Sequence, residues 1–69
     1  MQTPFIEWKQ LPRGSYRTRI DQLEADVFQI AGIGFRWNIL DTVSGCYTAS
    51  GVKSTLDAAC EAAIKEMQA

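Results

Sequence analysis

One stretch constrains this chain more than any other. Between Ser54 and Ala69, the residues Leu56, Ala59, Cys60, Ala63, Ile64 and Met67 recur at i, i+3, i+4, i+7, i+8 and i+11, one stripe of a 3.6-residue helix. Everything before it reads as short strands, so this helix is the long element available to cover a sheet. Ser54 and Asp57 stand three apart at its start, the capping-box spacing with aspartate in place of the usual glutamate. Ser54 is therefore the expected N-cap, and Ser54→Ala should cost about 1 kcal/mol. Leu56, Ile64 and Met67 are the expected large buried anchors, each worth about 1.5–3 kcal/mol on burial. Loss of Ile64 alone would threaten a chain of 69 residues, whose stability margin is only a few kcal/mol.

The strands announce themselves by alternation. Tyr16, Thr18 and Ile20 fall on one side of a segment from Tyr16 to Leu23, with Arg17, Arg19 and Asp21 on the other. Phe35 to Thr42 is the clearest strand: Phe35, Trp37 and Ile39 point one way, and Arg36, Asn38 and Leu40 the other. Ser44 and Gly45 turn the chain into a returning strand, Cys46 to Val52, whose small residues suit a helix lying close above them. A short edge strand is expected near Ile6 to Gln10, bracketed by Pro4 and Pro12, followed by a turn over Pro12 to Ser15. Glu24 to Asp26 reads as a connection and Val27 to Ala31 as a strand ending at Gly32. Leu23, Val27 and Ile30 also fit helical spacing, so a short helix over Asp21 to Ile30 is the alternative.

Turns this short force antiparallel pairing, because parallel neighbours need a crossover of a dozen residues or more. The expected fold is therefore α+β: one domain over residues 1–69, an antiparallel β-meander of four strands (five or three in the alternatives) with one C-terminal helix packed on one face.

Composition narrows the chemistry. The chain has no histidine, which removes the commonest general base and the commonest metal ligand together. Two cysteines cannot form a standard structural zinc site in one chain, and Cys46 has no histidine to activate it as a nucleophile. Both thiols are expected to be reduced. Gly32-Ile33-Gly34 is too short for a phosphate loop and precedes a strand. No enzyme, cofactor or metal is expected. A net charge of −1 and a pI of about 5.1 argue against a general polyanion binder. No apolar run approaches a membrane span, and the N-terminus lacks the features of a signal peptide. The cytoplasm is the expected location.

What remains is the sheet face the helix leaves open. Arg17, Arg19, Arg36 and Asn38 lie opposite the apolar residues of their strands, with Tyr47 and Trp8 as aromatic neighbours. These six form the candidate binding face, and its arginines, tyrosine and tryptophan are of the residue types that dominate binding hot spots.

Two resemblances follow from particular residues. The segment from Gly45 to Ala69 resembles the end of a double-stranded-RNA-binding domain, where glycine and serine precede an alanine-rich helix. That family grips phosphate with lysines at the helix start. Here the corresponding run is Lys53-Ser54-Thr55-Leu56-Asp57, with one lysine and an aspartate, and Pro4 to Pro12 does not read as the family's N-terminal helix. Tyr16-Arg17-Thr18-Arg19-Ile20, Trp37-Asn38-Ile39-Leu40-Asp41, and Ser50-Gly51 followed by Thr55 and spaced alanines resemble small phage- or prophage-encoded accessory proteins. HicB-like antitoxins share a similar strands-then-helix end. The phage resemblance implies a small module that binds host proteins, as anti-CRISPR inhibitors do. The expected function is accordingly non-catalytic protein–protein interaction, with self-association as a further expectation. The alternative is a nucleic-acid-binding domain using the arginine face.

Overall fold

The computed structural model describes residues 8–68. Five strands, β1 (Lys9–Gln10), β2 (Tyr16–Ile20), β3 (Leu23–Ile30), β4 (Gly34–Asp41) and β5 (Cys46–Lys53), precede one helix, α1 (Leu56–Met67). The strands form one antiparallel sheet in the order β1-β2-β3-β4-β5. This is an α+β meander, and α1 lies against β3, β4 and β5. Among the described residues, no helix is long and apolar enough to cross a membrane.

Strand alternation decides which side chains meet α1. Ala25 and Val27 of β3 and Trp37 and Ile39 of β4 are buried beneath Ala59, Ala63 and Met67 of the helix. Tyr16, Ile20, Leu23, Phe35, Ala49, Leu56 and Cys60 pack around this centre. The two fully buried alanines of α1 let its axis approach the sheet closely. Leu56 is only half-buried, and Ile64 is half-buried on the flank of the helix instead of beneath it. Of the three expected anchors, Met67 alone is fully buried; the alanines between them occupy the centre.

The N-cap is Thr55, not Ser54. Thr55 has an extended backbone (φ −128°, ψ 156°), and its Oγ1 accepts a hydrogen bond from the Ala58 amide at 3.1 Å. The expected capping box gives way to a single side-chain cap one residue later, because Ser54 still belongs to the chain leaving β5 and Ala58 has no side-chain acceptor to return the bond. Asp57 remains in the first turn and Lys65 in the last, where each complements the helix dipole.

The connection expected at Glu24 to Asp26 lies instead at Asp21 and Gln22, a two-residue hairpin closed by the Ile20–Leu23 pair. Asp21 adopts φ +53°, a left-handed conformation that aspartate tolerates better than most residues. β3 then runs unbroken for eight residues, which excludes the alternative helix over Asp21 to Ile30. The expected edge strand is confined, among the described residues, to Lys9–Gln10; the rest of Ile6 to Gln10, apart from Trp8, falls outside them. The turn at Pro12 to Ser15 forms as expected, closed by Leu11 N to Ser15 O at 2.8 Å and Gly14 N to Leu11 O at 2.9 Å.

β4 and β5 pair in register from Phe35–Lys53 to Ile39–Ala49, and the next pair is Leu40–Tyr47. Thr48 is therefore an extra residue, a bulge. It restores Tyr47 to the side of the sheet away from the helix.

Candidate functional site

Residues directly opposite each other in antiparallel strands share a face, so the register defines the uncovered surface row by row. Lys9, Arg17, Asp26, Asn38 and Ser50 form one row; Arg19, Glu24, Leu40 and Tyr47 form the next; Phe28, Arg36 and Val52 form a third. Five of the six expected residues, Arg17, Arg19, Arg36, Asn38 and Tyr47, are brought onto this face. Trp8 is not. It precedes Lys9 by one position, so alternation turns it to the opposite side, where it packs against the core and lines a groove with Cys60 and Ile64 of α1.

The three arginines are held differently. The Arg17 Nε donates to Asp26 Oδ1 at 2.7 Å and stands 3.5 Å from Glu24 Oε1. Its hydrogen bond to Asp26, then the charges of Asp26 and Glu24, raise the Arg17 pKa above its ordinary value. Arg19 is tied to turns: its Nε donates to the Asp21 carbonyl and its Nη2 to Thr42 Oγ1, both at 3.1 Å. The Arg36 Nε donates to Asn38 Oδ1 at the long distance of 3.4 Å. Among the described residues, the ion pairs belong to Arg17, so Arg36 keeps most of its guanidinium fork for other acceptors.

An open depression lies beside Arg36 over β4 and β5, lined by Arg36, Asn38, Tyr47, Thr48, Ala49 and Ser50. Guanidinium, amide, phenol and two hydroxyls converge there. Tyr47 is 66 % exposed and Val52 45 %, while Phe28 and Leu40 are half-buried on the same face. Among the described residues, the surface is thus a mixed one: apolar side chains, four cations and two carboxylates.

Reading Glu24 to Asp26 as a connection hid those carboxylates. The available signal was the period-two run Leu23, Ala25, Val27, which places Glu24, Asp26 and Phe28 together on the other side. Val52 follows once the bulge at Thr48 is taken into account.

Elsewhere, both cysteines are free thiols, Cys46 exposed and Cys60 partly covered. Burial, and secondarily the charge of Asp57, push the Cys60 thiol pKa up. Among the described residues, no three histidine, cysteine, aspartate or glutamate side chains cluster as metal ligands would. Compared with family models, with curated proteins and with solved structures, the chain finds no match in any of the three.

Proposed function

We propose that the protein is a non-catalytic binding module that engages a protein partner through the open face of its sheet. The observation that carries this reading is the composition of that face. Exposed Val52 pairs with Arg36 and exposed Tyr47 lines the same depression, and Arg17 is already neutralised by Asp26 and Glu24. Aromatic and arginine anchors among apolar neighbours suit a protein interface. The resemblance to phage accessory proteins adds that the partner is a host protein.

A nucleic-acid reading draws on one observation: Lys9, Arg17, Arg19 and Arg36 all emerge on the side carrying Tyr47. Against it, Glu24 and Asp26 interrupt the cations, and a phosphate backbone rewards an uninterrupted basic track.

The test is affinity capture from lysate with and without nuclease, comparing wild type with Tyr47→Ser and with Lys65→Ser on the helix. A nuclease-resistant partner retained by Lys65→Ser and lost by Tyr47→Ser is the expected result. A partner lost only after nuclease treatment favours the nucleic-acid reading, and one retained by both variants excludes the face.

A further inference from the structure

We infer that Arg36 forms a carboxylate-binding subsite, which receives an acidic side chain flanked by apolar residues on the partner. The inference rests on the protein-binding reading of the open face and names the chemistry of its partner there.

Arg36 is set apart from the other arginines by its neighbours. Phe28 pairs with it on β3 and Val52 on β5, so apolar side chains stand on both sides of its stem. Arg17 spends its charge on Asp26 and Arg19 is tied to the Asp21 carbonyl and the Thr42 hydroxyl. Arg36 has only the long contact to Asn38 among the described residues. A planar guanidinium with its fork free matches the two oxygens of a carboxylate. Apolar flanks that close around such a pair exclude water and strengthen it. The depression beside Arg36 adds the Thr48 and Ser50 hydroxyls and the Asn38 amide as further donors.

The same surface selects against a run of phosphates. Asp26 lies opposite Asn38 and Glu24 opposite Leu40, so a polyanion lying along the face would meet two carboxylates within the adjacent strand. Of the three arginines, Arg36 is the one whose fork is left open, and a single open fork suits a single carboxylate better than a run of phosphates.

The probe is a blocked tripeptide, Leu-Glu-Leu, titrated into the isotope-labelled full chain and followed by NMR. Its uncharged counterpart Leu-Gln-Leu, inorganic phosphate and single-stranded oligothymidylate serve as comparisons. Saturable shifts are expected at the Arg36 Nε–H and at the Asn38 and Val52 amides. They should weaken about tenfold with Leu-Gln-Leu, as loss of a charge-assisted pair implies, and vanish in Arg36→Gln while persisting in Arg17→Gln. Equal binding of the two peptides, tighter binding of phosphate or oligothymidylate, or shifts centred on Arg17 would overturn the subsite. The capture experiment separates the two readings. A partner lost by Tyr47→Ser but held fully by Arg36→Gln removes the subsite and leaves the face. A partner held by both variants removes the face.

Discussion

Gly51 is paired with Trp37 across β4 and β5, and a Cβ added at Gly51 would stand 2.8 Å from three atoms of the Trp37 indole. Glycine in a strand ordinarily costs stability, yet here its missing side chain makes room for the largest side chain of the core. Gly51→Ala should therefore destabilise the fold by about 1–3 kcal/mol, the usual cost of overpacking. The urea midpoint would fall, with little change in the slope. A neutral or stabilising result would mean that the indole moves aside freely.

The displaced helix cap gives a paired comparison. Thr55 Oγ1 accepts from the Ala58 amide, so Thr55→Ala should cost about 1 kcal/mol. Ser54, exposed and outside that bond, should tolerate alanine within about 0.5 kcal/mol. Urea unfolding of the two variants settles which residue caps α1. Equal losses would contradict the geometry.

The buried side of α1 orders a second pair. Ala63 is fully buried against the sheet, so Ala63→Leu should cost about 1–3 kcal/mol or more, as overpacking does. Ile64 is half-buried on the flank beside Trp8, and Ile64→Ala should cost about 1 kcal/mol, part of the figure for full burial. Thermal unfolding should rank Ala63→Leu as the less stable variant; the reverse order would mean that the helix is rotated about its axis, with Ile64 turned toward the sheet.

That ranking shows where sequence was and was not sufficient. Periodicity found α1 and the inward residues of β2 and β4, because a stripe and an alternation are intrinsic to one element. It did not rank the stripe: a large apolar residue looks like an anchor until the distance between helix and sheet is known. At close approach, Ala59 and Ala63 fill the centre and Ile64 is pushed to the side. The face opposite was partly legible for the same reason. Arg17, Arg19, Arg36 and Asn38 follow from alternation within their own strands. Tyr47 reaches that face through a bulge, and the turn at Asp21 sets where Glu24 and Asp26 stand. Both are decided between strands, as is the pairing of Arg17 with Asp26. Trp8 misses the face on parity alone, since it is the immediate neighbour of Lys9.

Acid sensitivity should centre on Asp41, which joins two turns. Its Oδ2 accepts from Gln22 Nε2 at 3.0 Å, and its Oδ1 from the Val43 and Ser44 amides at 2.9 and 3.3 Å. These bonds, the one from Gln22 foremost, hold its pKa below the usual carboxylate value. The unfolded chain therefore takes up this proton at a higher pH than the folded one. The stabilisation is fully present above an ordinary aspartate pKa of about 4 and is lost as pH falls through the lowered folded value. Asp41→Asn should lower the urea midpoint at neutral pH, where the charge-assisted bonds are gone. It should also flatten the decline of that midpoint below about pH 4, the window in which wild type loses this contribution. Parallel acid profiles for the two proteins would place the sensitivity at another carboxylate.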